Sequence, residues 1–236
     1  MFTETCFSSR HWCMLGVFCL ACLLCAAAPR PALAEETKTI DVTNERLEIT
    51  FAYPVLGQEQ IDADLKKWAE ETVAAFVDES ADNASTIPYE MKGEYSLVRA
   101  SDKTVTVVWN VWAFTGGAHG MLDITTFTYD AGTGQPLDLQ SLFSNVDSAL
   151  NVFSAYSMTA LSEKLGDMYV EDMVKTGTSP DLDNFSAVAP TSDGIRLFFQ
   201  PYQVAPWAAG AQEVEVPLSE LDEAEPRLVY WGKTTQ

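Results

Sequence analysis

Residues 115–120 read Thr-Gly-Gly-Ala-His-Gly, and they hold the side chain best suited to proton transfer. His119 is one of two histidines in the chain, the other being His11. Imidazole titrates near neutral pH and is the commonest general base. A base needs a nucleophile to activate, and the sequence supplies no pattern for one. There is no Gly-x-Ser-x-Gly elbow. All five cysteines (6, 13, 19, 22 and 25) precede residue 30, so the chain from residue 35 on holds no thiol nucleophile and no thiolate metal site. One histidine there cannot build a zinc site, and His-Glu-x-x-His is absent. Asp181, Asp183 and Asp193 flank loops without EF-hand spacing, so no metal is expected. Gly132-x-Gly134 lies in a hairpin and not between a strand and a helix, so no nucleotide cofactor is expected either. Paired carboxylates could hydrolyse glycosides, but no local motif selects one pair among the many. His119 therefore reads as a structural or recognition residue, held in a turn whose glycines Gly116 and Gly117 allow conformations closed to other residues.

A second stretch, Pro201-Tyr202-Gln203-Val204-Ala205-Pro206-Trp207, points to binding chemistry. Pro201 and Pro206 stiffen the backbone, so presenting Tyr202 and Trp207 costs little ordering entropy. Tyrosine and tryptophan anchor interfaces and offer flat platforms to sugar rings. The alternative is that Trp207 fills the core, as large aromatics commonly do.

The elements that must position these residues follow from periodicity. Alternation over 47–53 marks a strand, ended by Pro54. Apolar residues at 61, 65, 68, 69, 73, 76 and 77 mark one face of a helix over 58–79, with Trp68 and Phe76 as core anchors. Residues 80–92 read as a loop. Residues 94–100 and 103–114 are strands joined at Ser101-Asp102, the second apolar on both faces and hence central. Residues 121–130 return as a third strand of an antiparallel meander, and 131–134 turn onto another short strand at 136–139. Ser144 and Asp147 resemble a capping box, opening a helix to about residue 175, with Gly166 as a bend and Gly177 as its stop. Strands follow at 185–189 and 195–200, joined by a turn with Gly194 at positive φ, then at 213–218. Residues 227–231 form a last short strand or a loose tail. Strands grouped before and after the second helix imply an α+β fold: an antiparallel sheet, meander plus C-terminal hairpins, packed by two long amphipathic helices.

The first 34 residues have the layout of a secretory signal peptide: Arg10, an apolar run over 12–28, then Ala32-Leu33-Ala34. A retained anchor is the alternative, and lipidation at Cys22 is less consistent because Cys19 stands three residues before it. Cleavage after Ala34 leaves a single domain over 35–236 with 12 basic and 33 acidic residues, a net charge of −21. Such a chain repels nucleic acid and anionic lipid and attracts cationic partners at low salt. Solubility alone would also account for the charge. Asn83-Ala84-Ser85 and Asn184-Phe185-Ser186 match glycosylation sequons.

Several of these stretches together resemble the RsiV-type C-terminal domain family. They are Thr-Gly-Gly-Ala-His-Gly at 115–120, Thr128-Tyr129-Asp130, Thr133-Gly134, Leu-Asp-Leu-Gln-Ser-Leu-Phe at 137–143, and 198–210 with its Pro-Tyr, Ala-Pro and Ala-Ala-Gly elements. The resemblance spans about residues 40–220. It implies a bacterial exported or anchored domain. In that family one type of member is an anti-sigma factor whose outer domain binds lysozyme, a basic enzyme, and others precede polysaccharide deacetylase domains. Only 11 residues precede Trp12 here and no deacetylase sequence follows residue 220, so neither architecture is expected.

The expectation is thus a periplasmic or secreted cell-envelope binding protein without catalytic residues. Its ligand would be a basic lysozyme-like protein or peptidoglycan. Its recognition surface would be Gly116, Gly117, His119, Pro201, Tyr202, Pro206 and Trp207. No nucleic acid partner is expected, and no membrane insertion unless the leader is retained. The alternatives are a carboxylate-dependent glycan hydrolase or deacetylase-accessory domain, and a structural envelope protein. The binding reading requires the two segments to meet at the surface.

Overall fold

The computed structural model describes residues 35–82 and 87–234. The leader over 1–34, with the signal-peptide reading and all the cysteines, and the sequon at Asn83 lie outside the described residues.

Five strands form the first sheet: β1 (Glu36–Thr43), β2 (Leu47–Val55), β3 (Tyr89–Arg99), β4 (Thr104–Phe114) and β5 (Met121–Asp130), lying in that order. The β3–β4–β5 meander is antiparallel, as its hairpin turns dictate. The fully antiparallel expectation is corrected at one seam. β2 and β3 pair in parallel, Leu47 opposite Tyr89 through Phe51 opposite Gly93. The physical reason is helix α1 (Glu59–Glu79), which returns the chain across the sheet so that the next strand runs the same way. Two carboxyl–backbone bonds fix its entry, Asp62 accepting from the N–H groups of Leu56 (2.6 Å) and Gly57 (3.0 Å). Gln58 caps the helix by accepting from the N–H of Ile61 at 3.0 Å. Buried Ile61, Leu65, Ala69, Val73 and Phe76 then cover Ile49, Phe51, Val107 and Trp109 on the sheet. Trp68 joins this core by its rings, 4.4 Å from Trp109 and 5.7 Å from Phe51.

Two strand limits differ from the periodicity. β2 runs through Pro54, which is tolerated because it pairs only with the edge strand β1. β3 starts at Tyr89 and not at 94, its polar residues Glu90, Lys92 and Glu94 alternating onto the uncovered face. β1 itself escaped the sequence reading.

The second sheet has β6 (Val188–Pro190), β7 (Gly194–Phe199) and β8 (Gln212–Pro217), all antiparallel. Before it come α2 (Leu139–Leu142), α3 (Val146–Lys164) and α4 (Glu171–Gly177). The single helix expected to residue 175 is therefore broken: Gly166 takes φ +51°, a short 3-10 turn follows, and α4 restarts. The cap of α3 is Asn145 and not Ser144, accepting from the Ser148 N–H at 3.1 Å. The strand expected at 136–139 reduces to one bridge, Tyr129 to Pro136, before α2. Residues 183–185 form a 3-10 turn ahead of β6, and Leu228–Trp231 form another. Trp231 is buried there, its indole N–H donating to the Gly194 carbonyl at 2.9 Å. Gly194 is needed for space and not for positive φ, since a Cβ there would lie 2.1 Å from the Val216 carbonyl oxygen.

The two sheets face each other. Leu150, Phe153 and Leu161 of α3 pack on Ile195, Leu197, Val214 and Val216. The opposite side of the small sheet, through Ala187, Ala189 and Phe198, packs on Val108 and Ile124. The order of layers is α1, large sheet, small sheet, α3, an α+β arrangement. Gln200 joins the layers, accepting from the Ile124 N–H (2.8 Å) and donating to the Ile124 carbonyl (2.7 Å) at the free edge of β5. The small sheet covers β4 and β5; on β1 and β2 the same face, with Asp41, Glu48 and Thr50, stays exposed. Among the described residues no helix is long and apolar enough to cross a membrane.

Candidate functional site

β4 delivers the chain to the glycine turn at one end of the large sheet. Gly116 and Gly117 have φ of +84° and +116°, so the turn relies on their lack of Cβ. His119 is exposed, and its Nδ1 lies 2.9 Å from the Gly120 carbonyl oxygen. A carbonyl only accepts, so Nδ1 is the donor in this contact.

β7 delivers the second segment. Its backbone turns at Gln200-Pro201-Tyr202-Gln203, closed by the Gln203 N–H donating to the Gln200 carbonyl at 3.0 Å. Proline at the second position and φ +71° at Tyr202 in the third make this a type II turn with tyrosine where glycine is usual. The Gln203 side chain holds the turn down. It accepts from the Gln200 N–H and donates to the carbonyls of Gly177 (3.0 Å) and Asn184 (2.9 Å). Val204 and Ala205 are buried, and the Ala209 N–H donates to the Pro206 carbonyl at 2.9 Å, raising Trp207 on a short 3-10 turn.

The two segments meet. The rings of His119 and Trp207 stack at 4.2 Å and 26°, and Tyr202 stands 6.5 Å from His119. Tyr202 is 50% exposed and Trp207 40%, so Trp207 does not fill the core. Pro201 is buried behind them and Pro206 half-buried. A Cβ at Gly117 would meet nothing within 4 Å and one at Gly116 only the Tyr89 ring at 3.8 Å, so both glycines serve the positive φ of the turn.

Two aromatics extend this patch and were missed as site residues. Trp112 and Phe114 are half-buried with parallel rings, 6.4 Å and 8° apart. Trp112 lies directly on Gly120, where a Cβ would come within 2.4 Å of its indole. The available signal was two large aromatics on one face at the end of a central strand. Beside Trp112 a cleft of about 280 Å³ opens, lined by Glu48, Thr50, Glu90, Met91 and Lys92. Lys92 is engaged by Glu94 at 2.6 Å.

The arrangement presents rings for stacking. His119 lies against a carbonyl and two aromatic rings, and among the described residues no carboxylate hydrogen-bonds to it. Among the described residues no three His, Cys, Asp or Glu side chains gather as metal ligands. Asp181 and Asp193 serve local turns, accepting from the Asp183 N–H and the Ser192 hydroxyl. A separate cavity of about 290 Å³ lies against Thr126, Leu137, Asp138 and Phe185. Its one carboxyl is held below the usual range by the Ser141 hydroxyl and backbone, since Asp138 caps α2.

Residues 40–122 match the family model Deacetylase PdaC, and residues 140–219 match DUF3298, a family of unknown function. The first match takes in the large sheet to the glycine turn and the second takes in the small sheet with Tyr202 and Trp207. Peptidoglycan-N-acetylmuramic acid deacetylase PdaC of Bacillus subtilis is 34% identical over 173 residues, covering 72% of this chain and 37% of that protein. This chain thus spans little more than a third of that relative's length. Immunogenic protein MPT64 of Mycobacterium tuberculosis is 28% identical over 221 residues, covering 88% of this chain and 94% of that one. A DUF3298 family protein from Pseudomonas aeruginosa shares the fold at a TM-score of 0.61 and 21% identity, over 80% of this chain and 93% of that one. A second, from Bacteroides fragilis, gives 0.58 and 18%, over 84% and 97%.

Proposed function

We propose that this chain, PdaC-like in its first half and DUF3298-like in its second, is an exported cell-wall binding protein that takes peptidoglycan sugars on its aromatic patch. The observation that carries the reading is the exposed trio on stiffened turns: His119 stacked on Trp207, with Tyr202 tilted beside them. Flat rings with polar edges are suited to the apolar faces of pyranose sugars. Preformed turns spare the ordering cost of binding. The peptidoglycan deacetylase among its relatives supports a wall ligand, and the reading is non-catalytic because the patch lacks a base–acid pair. The sequence resemblance to RsiV-type domains belongs to the same proposal.

The test is co-sedimentation of the protein with purified sacculi. Trp207→Ala and Tyr202→Ala should each weaken retention roughly tenfold, as truncation of an aromatic anchor does. Unchanged retention in both variants would reject the patch. New muropeptide products after incubation would reject the non-catalytic reading.

A net charge of −20 for the full chain favours a second reading, in which the same surface takes a basic lysozyme-like protein. Retention of lysozyme at low salt, with an unrelated basic protein passing through, would favour it over sugars.

A further inference from the structure

The patch does not stop at His119. Trp112 contacts Gly120 on one side and walls the 280 Å³ cleft on the other, so the aromatic surface continues onto the uncovered face of the large sheet. Register places Glu48 directly beside Glu90 across the parallel seam, and Glu90 directly opposite Phe114 on β4. One pair further along, Thr50 lies beside Lys92 and Lys92 opposite Trp112. Strand alternation turns all these side chains to the same face. The lysine of the cleft is spent on Glu94, which leaves Glu48 and Glu90 without a cation partner among the described residues. The cleft therefore offers an aromatic wall for a ring and two carboxylates for a positive charge.

Resting on the proposed sugar binding, we infer that this cleft selects a glycan unit bearing a free amine, a de-N-acetylated amino sugar, over its N-acetylated form. The sugar face lies on Trp112 and its ammonium group lies between Glu48 and Glu90. An acetamido group carries no charge to reward the carboxylates, and the charged amine does. A ligand long enough to span both ends also touches His119 and Trp207.

Binding of chitosan tetramer and chitin tetramer to the full protein, measured by calorimetry in mildly acidic buffer, tests this. The chitosan tetramer should bind roughly five- to tenfold more tightly, the worth of one or two partly exposed ion pairs. The double variant Glu48→Gln, Glu90→Gln should abolish that preference while keeping affinity for the chitin tetramer. Trp207→Ala should weaken both sugars alike. Equal affinity for the two tetramers, or a preference that survives the double variant, overturns the inference and leaves sugar binding standing. Binding of neither tetramer overturns the inference, and if sacculi are also not retained it overturns the sugar-binding reading as well. Tetralysine is the charge control: if it binds as tightly as the chitosan tetramer, the site reads charge without a sugar and the inference fails.

Discussion

Tyr202 sits at the glycine position of a type II turn, with φ +71° and its ring half out in solvent. A non-glycine residue in the left-handed region costs on the order of 1–2 kcal/mol. The turn is nonetheless held by Pro201 before it and by three bonds of the Gln203 side chain after it. The strain is sustained to present an aromatic ring, which separates stability from binding in a measurable way. Tyr202→Gly relieves the backbone and should raise stability by about 1 kcal/mol, or roughly 2–4 °C in Tm. Tyr202→Ala keeps the strain and should not. Both variants should lose retention on sacculi to the same extent. Calorimetric melting of the two side by side decides it, and a Tyr202→Gly variant that melts below the parent would defeat the argument.

At the level of elements, legibility followed how much of each element's pattern was its own. α1 was readable to within one residue because an apolar stripe and a cap both lie inside it. β1 was not, because an edge strand reading Glu-Thr-Lys-Thr-Ile-Asp-Val-Thr has charges where an inner strand has apolar residues. The parallel seam at β2 and β3 depends on where α1 crosses, which no residue in either strand encodes. Gly166 was visible as a bend but not as a full break, since that depends on what α4 must reach. The four-residue α2 is too short for any period and exists through its cap. The Asp138 carboxylate accepts from the Ser141 N–H and hydroxyl, both at 2.7 Å, and these bonds hold its pKa below the ordinary carboxylate value. A folded pKa below the unfolded one stabilises the protein above the ordinary carboxylate range. That contribution disappears as pH falls through the depressed value. Asp138→Ala should therefore cost about 0.5–2 kcal/mol at neutral pH, toward the low end because the group is near solvent. The gap between variant and parent should close in acid. Urea melts at neutral and acidic pH read both, and a gap independent of pH would remove the carboxylate from the account.

Across the whole molecule, the candidate site exists only where two separately built halves meet. The large sheet with α1 forms one core and the small sheet with α3 forms another, and a thinner cluster around Val108, Ile124 and Phe198 lies between them. His119 comes from the first half and Trp207 from the second. Their residue types pointed to recognition in the sequence, but their 4.2 Å stacking is a property of docked sheets that no local pattern carries. One polar tie across the seam is Gln200, whose amide satisfies both backbone groups of Ile124 on the edge strand, beside the Val188 N–H that donates to the Thr126 hydroxyl at 3.1 Å. Gln200→Ala leaves a part-buried N–H and carbonyl unpaired, at about 1–3 kcal/mol. Because neither core is touched, the loss should concentrate in docking. Amide exchange should speed up at Ile124 and around Phe198 while the α1 core keeps its protection. Retention on sacculi should fall although Gln200 is not among the rings of the patch, and a long glycan bound across both halves should restore much of the lost exchange protection. Uniformly faster exchange in both cores would mean that the sheets unfold as one body, and that the patch is preassembled without any contribution from this tie.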